Sequence, residues 1–254
     1  MEDQQKEAIS RYCIAGVDLA WKSQTNGSGI AVGNVTGNQL TLEQLHCDIV
    51  GLQSVRQILE NTGDLHGVAI DAPLIIANST GARTCEQALD TVYRPRWAGC
   101  YPSNLSLYPD ASSVALAHWL EGWGLEHLGS AQSTKWQIEC YPHPAIIELF
   151  GLARRLKYKK GSLNERQSGQ IALARHIRTL EDSNELKLSI PGEFELFLDD
   201  GHILSLKGNR LKANEDALDS IICLYVAGLY ATGQEMTIFG DNTTGYIVVP
   251  KQKR

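Results

Sequence analysis

Apolar positions along the chain fall into short runs separated by turn formers. Residues 12–18, YCIAGVD, are apolar up to a terminal acid and predict a buried strand. The stretch LAWKSQTNGSG is rich in turn residues, IAVGNV at 30–35 resumes strand character, and TGN at 36–38 marks another turn before an alternating segment at 39–46. Three strands on short connections predict an antiparallel meander. In GLQSVRQILE (51–60), Leu52, Val55, Ile58 and Leu59 share one helical face. The wholly apolar Val68, Ala69 and Ile70 predict a strand buried on both sides, ending at Asp71 and stopped by Pro73. A helix between strands three and four is a crossover, so strand four should run parallel to its neighbour.

Beyond it, residues 78–131 read as an insertion, with helices at 84–92 and 112–121 around the Pro/Gly/aromatic stretch RPRWAGCYPSNLSLYP. WQIECY (136–141) predicts a fifth strand, and PAIIELFGLARRL a helix with Pro144 near its first turn, where a missing N–H costs nothing. Further helices are predicted at 163–180 and 214–230, the latter with Asn214 as N-cap and Glu215 and Asp216 in its first turn, and two short strands around GDNTTG. The predicted fold is α/β: a mixed five-stranded sheet with helices on both faces, in one domain over 12–250. Residues 1–11 read as a frayed leader or short helix.

Composition narrows the function classes. With 43% hydrophobic and 20% charged residues, the 254-residue chain has the makeup of a globular protein with its own core. No apolar run reaches about 18 residues, so no membrane partner is expected. The charged N-terminus is unlike a signal peptide, which makes a cytoplasmic location the expectation. The net charge of −6 argues against a chain that coats nucleic acid over its whole surface, so any such contact must be local. Six cysteines form no CxxC pair and read as reduced, mostly buried thiols.

The chemistry-bearing residues are acids at strand ends. Asp18 and Asp71 close the two most apolar strands, where open α/β sheets gather ligands and where an unpaired carboxylate is expensive to bury. Glu139 lies inside the fifth strand. Asp216 and Asp219, three apart, share one face of a largely apolar helix. Converging carboxylates suit Mg²⁺ or Mn²⁺, and two such ions would activate water for phosphodiester cleavage. Structural roles compete at each position: Asp216 as a helix-dipole partner, Asp71 in an Asx turn, Asp18 paired with Lys22, and Glu139 paired with an arginine.

GVDLAW (16–21), AIDAPL (69–74), ECYPHPAIIELFG (139–151) and EDALDSIICLYVAG (215–228) resemble the domain-of-unknown-function 429 family, described as predicted nucleases with an RNase H-like fold. The resemblance spans about residues 14–250, and more distantly the pattern is similar to RuvC-type Holliday-junction resolvases. It implies that Asp18 is the first-strand aspartate, Asp71 the fourth-strand acid, and Asp219 with Asp216 the acids of the last helix. Asp71 stands where the resolvases carry glutamate. Glu139 and His143 fall on the family's own fifth-strand motif, to which kinship with the resolvases assigns no role.

Cations near these acids are candidate substrate contacts. Arg83, Arg94 and Arg96 would bind phosphate or neutralise carboxylates. RRLKYKK (154–160) supplies Arg154, Arg155, Lys157, Lys159 and Lys160, either against a phosphate backbone or as a solvated helix end. Lys22 follows the first acid. Trp97, Tyr101 and Tyr108 would stack bases or pack the insertion. His143, between two prolines, fits proton transfer or a buried hydrogen bond. The leading expectation is a divalent-metal-dependent nuclease with nucleic acid as partner. Two alternatives remain: a non-catalytic nucleic-acid- or metal-binding protein, and a phosphotransferase of the actin/sugar-kinase class, for which no P-loop is present.

Overall fold

The computed structural model describes residues 11–22, 25–130 and 134–251. The predicted leader lies outside the described residues but for Arg11. The strands β1 (Arg11–Asp18), β2 (Gly27–Thr36) and β3 (Gln39–Val50) form the expected antiparallel meander. Helix α1 (Leu52–Asn61) then crosses over, and β4 (Leu65–Asp71) pairs parallel with β1. Helices α2 (Thr84–Tyr93) and α3 (Ser112–Gly122) precede a three-residue strand, β5 (Leu125–His127), and β6 (Lys135–Glu139) is the fifth strand of the sequence reading. It is followed by α4 (Pro142–Leu149), α5 (Leu163–Thr179), β7 (Lys187–Ser189), α6 (Asp200–Ser205), α7 (Gly208–Ala231) and the hairpin β8 (Met236–Asp241) and β9 (Gly245–Pro250).

The main sheet has seven strands, not five, in the order β5-β6-β4-β1-β2-β3-β7. The two additions are three-residue edge strands, β5 beside β6 and β7 beside β3, too short to show alternation in the sequence. All pairings outside the meander are parallel. Alternate residues of the central strands feed two cores. Ile14 of β1 and Ala69 of β4 pack with α4, α5 and α7, while Ala15, Val17, Val68 and Ile70 pack with α1 and α3 on the other face. All six cysteines are free thiols. Among the described residues no helix is long and apolar enough to cross a membrane.

Two predicted boundaries are corrected, and both corrections shape the site. The helix expected through residue 156 ends at Leu149 because Gly151 turns the chain at φ 60°, a left-handed conformation that glycine tolerates best. Residues 154–160 are therefore a loop and not a helix end. That loop lies directly on α5, where a Cβ on Gly169 would stand 2.0 Å from the Lys157 carbonyl oxygen. Helix α7 begins at Gly208, six residues before the predicted cap. Asn214 is buried inside it and donates its amide to Gln170 Oε1 at 3.1 Å. Glu215 and Asp216 lie beyond the first turn, so the helix dipole does not account for them.

Candidate acidic site

β1 and β4 end side by side, with Asp18 directly in register with Asp71. The period of two fixes where both carboxylates point. Asp18 follows Ile14 and Gly16 on one face of β1, and Asp71 follows Ala69 on the same face of β4, the face that α7 covers. Glycine lets α7 come close: a Cβ on Gly16 would stand 2.0 Å from Leu224 N, and one on Gly29 2.2 Å from the Asp216 carbonyl oxygen. Gly29 is the strand partner of Asp18, so Asp216 sits over that pair. The Asp18 and Asp216 carboxyls are within hydrogen-bonding reach of each other. One turn further on, Asp219 has no solvent exposure.

Two ammonium groups stand among these acids. Lys159 Nζ lies 2.6 Å from Asp219 Oδ2 and 3.9 Å from Asp71 Oδ2. Lys212 Nζ lies 3.0 Å from Glu215 Oε1 and also contacts Asp216 Oδ1. The other oxygen of Asp219 accepts from the buried Tyr158 hydroxyl at 2.7 Å. Burial raises the pKa of Asp71 well above the usual carboxylate range, with the Lys159 charge opposing and Asp18 and Asp219 reinforcing it. Burial likewise raises Asp216, reinforced by Asp18, and Asp219, against the pull of Lys159. Glu215 is pushed up to about 7 by burial, with Lys212 opposing. Burial works against the charge on Lys159, but Asp219 and the neighbouring acids override it and hold its pKa well above normal.

Glu139 sits beside this cluster and is already engaged. Its carboxylate binds the Arg83 guanidinium through both oxygens, and the Leu74 N–H donates to Oε2 at 2.9 Å. Arg83 also donates to Glu86 Oε1 at 2.9 Å, so a buried Glu–Arg–Glu group ties β6 to the start of α2. This is the ion-pair role among the sequence readings of Glu139. Arg94 pairs with Asp90, and Arg96 with Glu148 and the Leu152 carbonyl. Three of the five arginines named as substrate contacts, Arg83, Arg94 and Arg96, thus have partners within the chain.

The loop cations are more open. Arg155, Lys157, Lys159 and Lys160 line a cavity of about 430 Å³ with His143, Tyr101 and Tyr141. Arg154 stacks 4.3 Å from the exposed Trp97 ring. Lys22 sits 4.8, 5.3 and 5.6 Å from the Trp21, Tyr108 and Tyr101 rings. A second cavity of about 160 Å³, lined by Lys22, Asp71, Tyr101 and Tyr141 among others, adjoins the first through the shared tyrosines. His143 is buried, and burial together with the Lys159, Arg155 and Lys160 charges lowers its pKa well below normal.

The structure thus brings Asp18, Asp71, Asp216 and Asp219 together and places Lys159 between two of them. Sequence reasoning named Lys159 only as a substrate contact and missed Lys212 and Tyr158. Lys212 was legible as the residue four before Asp216 once α7 is started at Gly208. Tyr158 carried no signal beyond being an aromatic residue among cations. An all-oxygen donor set of this kind suits Mg²⁺ or Mn²⁺ in its chemistry. Among the described residues, however, no three acid, histidine or cysteine side chains converge as a ready metal site. Lys159 and Lys212 supply the positive charge that such a cluster requires.

An α/β protein with paired strand-end aspartates under a buried helix is the class that fold and site define. A family model described as "Protein of unknown function (DUF429)" matches residues 16–244, and the chain belongs to that family. Comparisons with curated proteins and with solved structures found no match.

Proposed function

We propose that this chain is a divalent-metal-dependent nuclease on an RNase H-like core, with residues 78–131 as an insertion in it. One observation carries the reading: Asp18 and Asp71 end adjacent parallel strands in register and are faced by Asp216 and Asp219 of α7. The central order β3-β2-β1-β4-β6, a meander followed by parallel strands, supports the fold assignment. Ligands of open α/β sheets gather at this end of the strands.

The four aspartates would hold Mg²⁺ or Mn²⁺, which supplies Lewis acidity and charge neutralisation for phosphodiester hydrolysis. The chain's own residues do the rest. Tyr158 fixes Asp219 through its hydroxyl. The cations of the 154–160 loop draw the nucleic-acid backbone to the acids, and they do so locally, on a chain whose net charge is −6. Tyr101, 67% exposed at the mouth of both cavities, offers a ring on which a base can stack. Glu139 and Arg83 position the loop after β4 that carries Pro73 and Leu74.

The test is a cleavage screen of single-stranded, duplex, hybrid and branched DNA and RNA with Mg²⁺ or Mn²⁺. Wild-type protein should cut at least one of these, and Asp18→Asn and Asp71→Asn should not. Full cleavage by folded Asp18→Asn sinks the proposal. Metal binding by a folded protein that cuts nothing shifts the reading to a binding protein.

A further inference from the structure

Lys159 belongs to two sites at once. Its ammonium compensates Asp219 and Asp71, and the same side chain lines the 430 Å³ cavity with Arg155, Lys157 and Lys160. That cavity has more positive charge than it uses. Its one carboxylate, Glu165, is held by the Ser162 N–H at 2.8 Å and the Ser162 hydroxyl at 2.7 Å as a helix cap. His143, 6% exposed, stands in the wall of the cavity, but its Nδ1 is out of reach of solvent, so the cations alone mark the lining. Tetrahedral, oxygen-rich and anionic, a phosphate group matches this lining.

We propose that the cavity takes a phosphate group, and that Lys159 turns from Asp219 and Asp71 to that phosphate when it binds, opening the acids to a divalent cation. The proposal rests on the metal-site reading above and adds an order to it: anion and cation bind with positive cooperativity. The lysine can make the move because its stem is a flexible four-carbon chain and its side chain keeps 25% exposure. Asp219 stays in place meanwhile, held by Tyr158. Without phosphate, a cation must displace the ammonium, which weakens its binding. Linkage makes the effect reciprocal.

Calorimetric titration with inorganic phosphate, with and without Mg²⁺, tests this. Mg²⁺ should tighten phosphate binding by about fivefold or more, and phosphate should tighten Mg²⁺ binding by the same factor. A cation that merely bridges to phosphate would produce the same linkage, so the deciding variant is Asp219→Asn. It frees Lys159, and it should bind phosphate more tightly than wild type with no metal present, with the Mg²⁺ effect reduced. Lys157→Met/Lys160→Met, changed at partly open positions, should weaken phosphate binding several-fold while melting normally. Equal phosphate affinity of metal-free wild type and Asp219→Asn overturns the proposal, as does wild-type phosphate affinity indifferent to Mg²⁺. Oligonucleotides with and without a 5′-phosphate tell a terminal phosphate from a backbone one. Linkage without cleavage would fail the nuclease reading alone; cleavage with an unaltered Asp219→Asn affinity would fail this inference alone.

Discussion

The ammonium of Lys159 stands 2.6 Å from a carboxylate oxygen of Asp219 that has no solvent exposure. An ion pair in such a place is not a strong source of stability, because desolvating both charges offsets most of their attraction. Removing one partner is a different matter, since it strands the other.

Lys159→Gln should therefore destabilise the metal-free protein by about 3–5 kcal/mol. Adding Asp219→Asn should restore part of that loss, so the double variant will be more stable than the sum of the single changes implies. Urea denaturation of the four proteins in chelator measures the coupling. Strict additivity would mean that the pair is not a unit.

The Arg83–Glu139 pair should behave as structure rather than chemistry. Both side chains are buried, and Arg83 is also bound to Glu86. Glu139→Gln should lower stability by about 3–5 kcal/mol, and Arg83→Met by a similar amount. Where the proteins remain folded at low temperature, the proposed metal-dependent cleavage should persist in Glu139→Gln and vanish in Asp18→Asn. Loss of activity in a fully folded Glu139→Gln would instead place Glu139 in the chemistry.

Gly29→Ala tests the close approach of α7 to the sheet. The new methyl group would stand 2.2 Å from the Asp216 carbonyl, a backbone atom that cannot swing aside. Overpacking of this kind costs about 1–3 kcal/mol or more, and relief must come from lifting α7 away from Asp18. A melting temperature lowered by several degrees, together with weaker Mg²⁺ binding, is the expected result. An unchanged melting temperature would contradict the packing.

Glu215 supplies a pH dependence with a definite sign. Its folded pKa, about 7, lies above that of an unfolded glutamate. Between the two values the folded state binds the extra proton, so its stability is fully present at low pH and is lost as pH rises through about 7. Glu215→Gln removes the titration. Relative to that variant, wild type in chelator should lose on the order of 2–3 kcal/mol between pH 5 and pH 8. Denaturation curves at the two pH values decide it; a constant difference would show that Glu215 does not titrate there.

Much of the scaffold was legible because its signals are local. The apolar runs ending at Asp18 and Asp71, the meander turns and the apolar helix carrying Asp216 and Asp219 are all readable within windows of ten to twenty residues. What escaped was decided by contacts between distant segments. β5 and β7 are three residues long and exist only because β6 and β3 offer free edges. The chain after α4 has helical composition, yet the turn at Gly151 and the seat against Gly169 lay it out as a loop.

The sequence by itself determined which acids end the central strands and which lie one turn apart on the last helix, since a period of two or of 3.6 assigns faces without a tertiary partner. Only the tertiary structure decided which charge answers which. Glu139 could have joined the other acids and was taken by Arg83 from across the sheet end; Lys159 could have faced solvent and was turned inward beside the anchored Tyr158. Electrostatic partners are chosen by distance in space and by burial, and neither is a property of spacing along the chain.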